Sequence, residues 1–78
     1  MRKFELYQAV VLEHALNPPD VKSRLESGAP GIIVDLLNPD GVAVEFFDKG
    51  GKTIEVAFIP ESFVRPATKA ETKASRSR

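Results

Sequence analysis

The stretch Ile32-Ile33-Val34-Asp35-Leu36-Leu37-Asn38-Pro39-Asp40-Gly41-Val42-Ala43-Val44-Glu45-Phe46-Phe47-Asp48-Lys49-Gly50-Gly51-Lys52-Thr53-Ile54-Glu55-Val56-Ala57-Phe58-Ile59 decides the fold. Two Gly-marked turns, Asn38-Pro39-Asp40-Gly41 and Asp48-Lys49-Gly50-Gly51, separate strand-like runs. Pro presets φ at the second turn position, Asp hydrogen-bonds its own backbone, and Gly takes the positive φ that closes a hairpin. Two such turns in succession predict a meander over 31–37, 42–47 and 53–59. In the first run Asp35 is the only polar side chain, the mark of a strand covered on both faces. The next two alternate: Val42, Val44 and Phe46 oppose Ala43, Glu45 and Phe47, and Ile54, Val56 and Phe58 oppose Thr53, Glu55, Ala57 and Ile59. Phe46, Phe58 and Phe63 are expected in the core, leaving Phe4, Tyr7 and Phe47 as the aromatic residues open to exposure.

Upstream, 4–12 reads as a first strand, with Leu6, Gln8, Val10 and Leu12 alternating against Glu5, Tyr7, Ala9 and Val11. A helix over 4–16 competes on spacing, but the β-branched pair Val10-Val11 favours a strand. Residues 17–29 form a long first loop. Asn17 can cap, Pro18 suits a first helical turn and Gly28 can stop it, so a short helical turn is expected there. Leu16, Val21 and Leu25 are its expected anchors. Downstream, Pro60-Glu61-Ser62-Phe63 breaks the ladder as a tight 3₁₀-type turn, and Val64-Arg65 forms a last short strand stopped by Pro66.

Seventy-eight residues make a single domain, expected over 1–66, with 67–78 as a flexible tail whose largest apolar residue is Ala. The net charge of zero hides a split: 1–66 holds 7 Lys/Arg against 10 Asp/Glu, and 67–78 holds 4 against 1. The tail is thus basic on a mildly acidic domain. With no cysteine, disulfides and thiolate metal sites are excluded. No apolar run approaches the ~18 residues of a membrane span, and no apolar segment follows the charged N-terminus as in a signal peptide, so a cytoplasmic protein is expected.

The order of strand, long loop, meander, tight turn and short strand is similar to that of SH3-like small barrels with five strands. Gly28-Ala29-Pro30-Gly31-Ile32-Ile33 resembles the G-x-x-G-x-V core of KOW-type barrels. Over residues 4–66 the chain resembles the bacterial "domain of unknown function 4926" family, through Leu6-Tyr7, the loop from Leu16 to Pro19, Gly28 to Gly31, Val44-Glu45-Phe46, and Gly51-Lys52-Thr53-Ile54-Glu55-Val56. It departs at Gln8, where such families often have Asp, at Ala29-Pro30, and in a longer first loop. The resemblance implies a barrel without an assigned activity, and an accessory, immunity or antitoxin-like companion of small neighbouring proteins.

The residues carry no visible catalytic equipment. His14 is the single histidine and reads as a rim residue. Asp40 and Asp48 read as turn formers rather than metal ligands. Gly50-Gly51-Lys52-Thr53 lacks the first glycine of a phosphate loop and opens a strand, not a helix. No catalytic, cofactor-binding or metal residue is assigned. The expectation is a non-enzymatic binding module, monomeric or weakly dimeric, that contacts another protein through loop 17–30 and hairpin tip 48–52. Lys22, Arg24, Phe47, Lys49 and Lys52 are the candidate contact residues. The alternative is KOW-like RNA binding through Lys22, Arg24, Lys49 and Lys52, against which stand the interspersed Asp20, Glu26, Asp48, Glu55 and Glu61.

Overall fold

The computed structural model of the chain describes residues 3–71. Five strands form one antiparallel sheet of a small barrel-like fold: β1 (Ala9–Leu12), β2 (Pro30–Leu37), β3 (Gly41–Phe47), β4 (Thr53–Pro60) and β5 (Val64–Pro66). The spatial order is β4-β3-β2-β1-β5, and a 3₁₀ turn over Glu61–Phe63 links β4 to β5. The meander, the turn and the final short strand therefore lie where the sequence pattern puts them.

The first strand is shorter than expected. Extended pairing starts only at Ala9 because the chain turns at residues 5–8. Tyr7 takes φ 66, and the Gln8 side chain accepts from Glu5 N at 2.9 Å. That turn folds Phe4 inward, where it is 1% exposed. Phe4 is thus a core residue and not a surface aromatic.

Register decides the sense of β4. Ala57 lies opposite Val44 and Ile59 opposite Val42, both buried valines, so the Ala57/Ile59 face points inward. Phe58, opposite Ala43, points outward and is 71% exposed, with Val56 at 45% and Ile54 at 39%. The expectation that Phe58 joins the core is corrected: period-two alternation finds the two faces but not which one is buried. The core instead gathers Phe4, Val10, Leu12, Ile33, Val42, Val44, Phe46 and Val64 with the loop residues Leu16, Val21 and Leu25. Each large apolar side chain fully buried this way contributes about 1.5–3 kcal/mol.

Of the two hairpin turns, the second behaves as its composition predicts. Asp48 Oδ1 accepts from Gly50 N at 2.8 Å and Lys52 N at 3.0 Å, and Gly51 takes φ 83. In the first, the Asn38-Pro39 peptide is cis, and Asp40 acts through its main-chain carbonyl, which accepts from Glu61 N at 2.9 Å. Gly41 does not take a positive φ: it begins β3, paired with Leu37 on one side and Pro60 on the other, which holds it extended.

Loop 17–29 contains no helical turn. Leu16 and Leu25 instead exchange both backbone hydrogen bonds at 2.9 Å, an isolated antiparallel bridge that closes the loop at its base. A cross-chain bridge between two buried leucines competes better than one short, weakly capped helical turn.

The segment that follows β5 is partly held. Ala67 N donates to Ala9 O at 3.0 Å. Thr68 and Glu71 form a reciprocal capping box: Thr68 N donates to Glu71 Oε1 at 2.9 Å, and Glu71 N donates to Thr68 Oγ1 at 3.1 Å. Arg65 donates to the same carboxylate from Nη1 and Nη2, at 2.8 and 2.7 Å. The sequence reading of a flexible tail from 67 thus meets an anchored first turn at 67–71, and its remainder, 72–78, lies outside the described residues.

Hydrogen bonding to Arg65 holds the Glu71 carboxyl at about 2, and the same contact raises the Arg65 guanidinium above its ordinary value. A depressed carboxyl stabilises above its ordinary pKa and loses that contribution as pH falls through the depressed one. The clasp is therefore expected to persist at neutral pH and open progressively as pH drops from about 4.5 towards 2. The side-chain carboxyl shift of Glu71, followed by NMR with amide exchange at Thr68, reads this directly.

Gly31 sits where β2 passes closest to β3. A Cβ there would lie 2.6 Å from Val44 Cγ1 and 3.0 Å from both Glu45 O and Phe46 Cδ1. Gly31→Ala is expected to lower stability by about 1–3 kcal/mol, as overpacking does. It should show as a reduced urea midpoint with an unchanged slope.

Candidate functional site

The long loop and the second hairpin approach each other on one side of the barrel. Between them lies an open groove of about 430 Å³, lined by Glu26, Ser27, Gly28, Ala29, Pro30, Phe47, Asp48 and Lys49. A groove arises because two projecting segments, rather than the barrel interior, form its walls.

Both walls are pinned. On the loop side, Gly28 N donates to Leu12 O at 2.7 Å, Leu12 N donates to Ala29 O at 2.9 Å, and Ala29 N donates to Glu26 O at 3.1 Å. Gly28 takes φ 101, which closes this turn into β2. On the hairpin side, Asp48 N donates to Lys52 O at 2.9 Å and Gly51 N to Asp48 O at 3.0 Å, in addition to the Asp48 carboxylate bonds. Phe47 is half-buried where β3 ends, beside a bulge that leaves Ile54 unpaired between Glu55 and Thr53. Bulges re-aim side chains next to functional surfaces.

The structure brings some of the sequence candidates together and separates others. Phe47 and Lys49 line the groove. Arg24 reaches it indirectly, through a 3.0 Å ion pair with the lining residue Glu26. Lys22 and Lys52 do not line it. Lys52 is exposed on the hairpin tip. Lys22 is fixed elsewhere through its main chain: the Glu55 carboxylate accepts from Lys22 N at 2.9 and 2.8 Å and from Ser23 N at 3.1 Å. This clamp crosses from β4 to the middle of the long loop. No spacing rule reveals it, because both donors are backbone amides, 33 and 32 residues away from Glu55.

His14 is exposed and stacks on Phe63, with ring centroids 4.2 Å apart and planes 10° apart, a rim position as its place in the sequence suggests. Among the described residues, no group of three or more His, Asp or Glu side chains is gathered as a metal site. No helix among them is long and apolar enough to cross a membrane.

The whole barrel corresponds to one known sequence family. The family model described as "Domain of unknown function (DUF4926)" matches residues 6–66. No curated protein and no solved structure matches the chain significantly.

Charge-assisted bonds of the Glu55 kind contribute about 1.5–3 kcal/mol each. Glu55→Ala is expected to destabilise the fold by a few kcal/mol on that scale and to raise amide exchange at Lys22 and Ser23 well before β2 and β3 are affected. Uniform exchange across all strands would show that the clamp does not set the loop's local stability.

Proposed function

We propose that this chain, which belongs to the DUF4926 family, is a small non-enzymatic binding module that takes another protein into the groove between 26–30 and 47–49. The observation that carries the reading is the groove, a concave surface of about 430 Å³ whose two walls are already ordered. Ordered walls reduce the entropy lost on association. Phe47 offers an aromatic anchor at its edge, and aromatic residues in such positions carry much of the energy of protein interfaces. Glu26, Asp48 and Lys49 make a mixed polar rim of the kind that surrounds such anchors.

RNA contact through Lys22, Arg24, Lys49 and Lys52 has weaker support. Two carboxylates flank the one ammonium in the groove, and Arg24 is already paired with Glu26. Phosphate binding needs unopposed cationic charge. An accessory, immunity or antitoxin-like role in the cytoplasm is the form this protein binding takes, following the family resemblance.

Tagged protein retrieved from native extract, washed at low and high salt with and without nuclease, tests the reading. The expected result is one stoichiometric protein that survives both treatments and is lost with Phe47→Ser or Lys49→Glu. Material that vanishes with nuclease and salt, and that responds to Lys22 and Lys52 reversal rather than to Phe47, overturns it in favour of RNA.

A further inference from the structure

Val11 is only 5% exposed, yet it is not part of the core cluster that its neighbours Val10 and Leu12 join. Strand alternation explains half of this: Val10 and Leu12 point inward, so Val11 points to the outer face of β1. Its cross-strand neighbours there are Pro30 on β2 and Arg65 on β5. The segment placed to cover it is the turn 67–71. That turn is tied beside both ends of β1. Ala67 N donates to Ala9 O at 3.0 Å, and the Arg65 side chain that holds Glu71 also lies 3.6 Å from Glu13, directly after Leu12. Ala67 and Glu71, one helical turn apart, are half-buried, whereas Thr68, Lys69 and Ala70 are exposed. The turn therefore lies across the outer face with Ala67 and Glu71 towards the sheet. Pro30 also lines the groove. The row Pro30–Val11–Arg65 thus continues the groove over three strands, about 10 Å at ordinary strand spacing, with an apolar floor and a guanidinium at its end.

We propose that the turn 67–71 is a strap occupying the chain's own binding strip, and that a protein entering the groove displaces Glu71 by bringing a carboxylate of its own to Arg65. The proposal rests on the reading of the groove as a protein site and adds the chemistry of the occupant: an extended segment with an apolar residue over Val11 and an acidic side chain beyond it. Arg65 is arranged for a carboxylate. Its Nη1 and Nη2 meet the two Glu71 oxygens at 2.8 and 2.7 Å, the bidentate geometry that the planar fork favours. Glu13, 3.6 Å from Nε, steadies the guanidinium from its other side. The strap that fills the site is weakly built. Ala67 N ties it to the sheet, and the Thr68–Glu71 box and the ion pair hold the rest. A single helical turn is marginal on its own, and an ion pair whose partners are 38% and 36% exposed adds little. The apolar residues of the strap are Ala67 and Ala70, so a larger apolar side chain at that point makes contact with Val11 that the strap leaves unmade. A strap of this kind exchanges with an incoming carboxylate instead of sealing the strip.

Methyl NMR on the full chain with a soluble gadolinium chelate reads the cover over Val11. In the wild type the Val11 methyls should be as shielded as those of Val10. Glu71→Ala and Arg65→Gln each open the clasp. Both should raise the chelate-induced relaxation of Val11 by about threefold or more while Val10 and Leu12 stay shielded, which also shows that the fold is kept. Glu71→Gln replaces Glu71→Ala if that variant unfolds. Capture from native extract then separates a strap from a brace. Glu71→Ala frees Arg65 and should raise capture of the groove's protein by about fivefold, since self-occupancy lowers apparent affinity in proportion to the free fraction. Arg65→Gln opens the strip but removes the group that receives the carboxylate, so it should lower capture below wild type. A Val11 that stays shielded in both variants overturns the proposal, as does capture that moves in the same direction for both. Capture lost with Phe47→Ser yet indifferent to residues 65 and 71 also overturns it and leaves the groove reading intact. Opposite responses at 65 and 71 without any response to Phe47→Ser support the strip and sink the groove reading. No captured protein from any variant sinks both.

Discussion

The Glu55 carboxylate, accepting from the backbone amides of Lys22 and Ser23, holds the long loop to the sheet. Residues 17–29 have no helix and no named strand to satisfy their own polar groups. Yet this loop supplies the core side chains Val21 and Leu25, with Leu16 at its base. An apolar anchor can stay buried only if the flanking backbone has hydrogen-bond partners, because an unpaired buried amide costs as much as the burial of a small side chain returns. The Leu16–Leu25 bridge meets that demand at the base of the loop, and Glu55 meets it in the middle. The position of the loop in turn places 26–30 opposite the hairpin tip. The groove is a consequence of how the core is completed.

Two surfaces of different character result. The groove lies between turns, has mixed charge at its rim and is built from backbone already fixed by hydrogen bonds. The β4 edge is uncharged along its outward face and carries apolar side chains that the single chain leaves in water. Water penalises the second arrangement and tolerates the first.

The glycines before β2 show how a short motif carries two separate constraints. Gly28 supplies a backbone conformation, while Gly31 supplies the absence of a side chain where β3 comes closest. Both were legible as a Gly-x-x-Gly spacing, but only the structure separates the dihedral requirement from the steric one. The capping box at Thr68 and Glu71 was equally legible, as the pattern Thr-x-x-Glu. The residues around it are small and polar, a composition that by itself predicts a flexible segment. What composition does not weigh is Arg65, which sits in β5 and reaches forward to Glu71.

By itself the sequence determined the number and order of strands, the hairpin at Asp48 to Gly51, the 3₁₀ turn after Pro60, the loop anchors and the family. These follow from local rules: alternation, turn chemistry and the backbone limits of Pro and Gly act between neighbours. Only the tertiary structure decided which face of β4 is buried, that Phe4 lies inside and Phe58 outside, that the loop is clamped by Glu55, and that Phe47 and Lys49 share a groove while Lys22 and Lys52 stand apart from it. Register sets which residues share a face, and Ala57 and Ile59 share theirs with Val44 and Val42. All four belong to one core cluster, whereas Phe58 stays exposed opposite the buried Ala43. Such facts depend on register between strands, which is set by the packing of the whole barrel and by no single stretch of the chain.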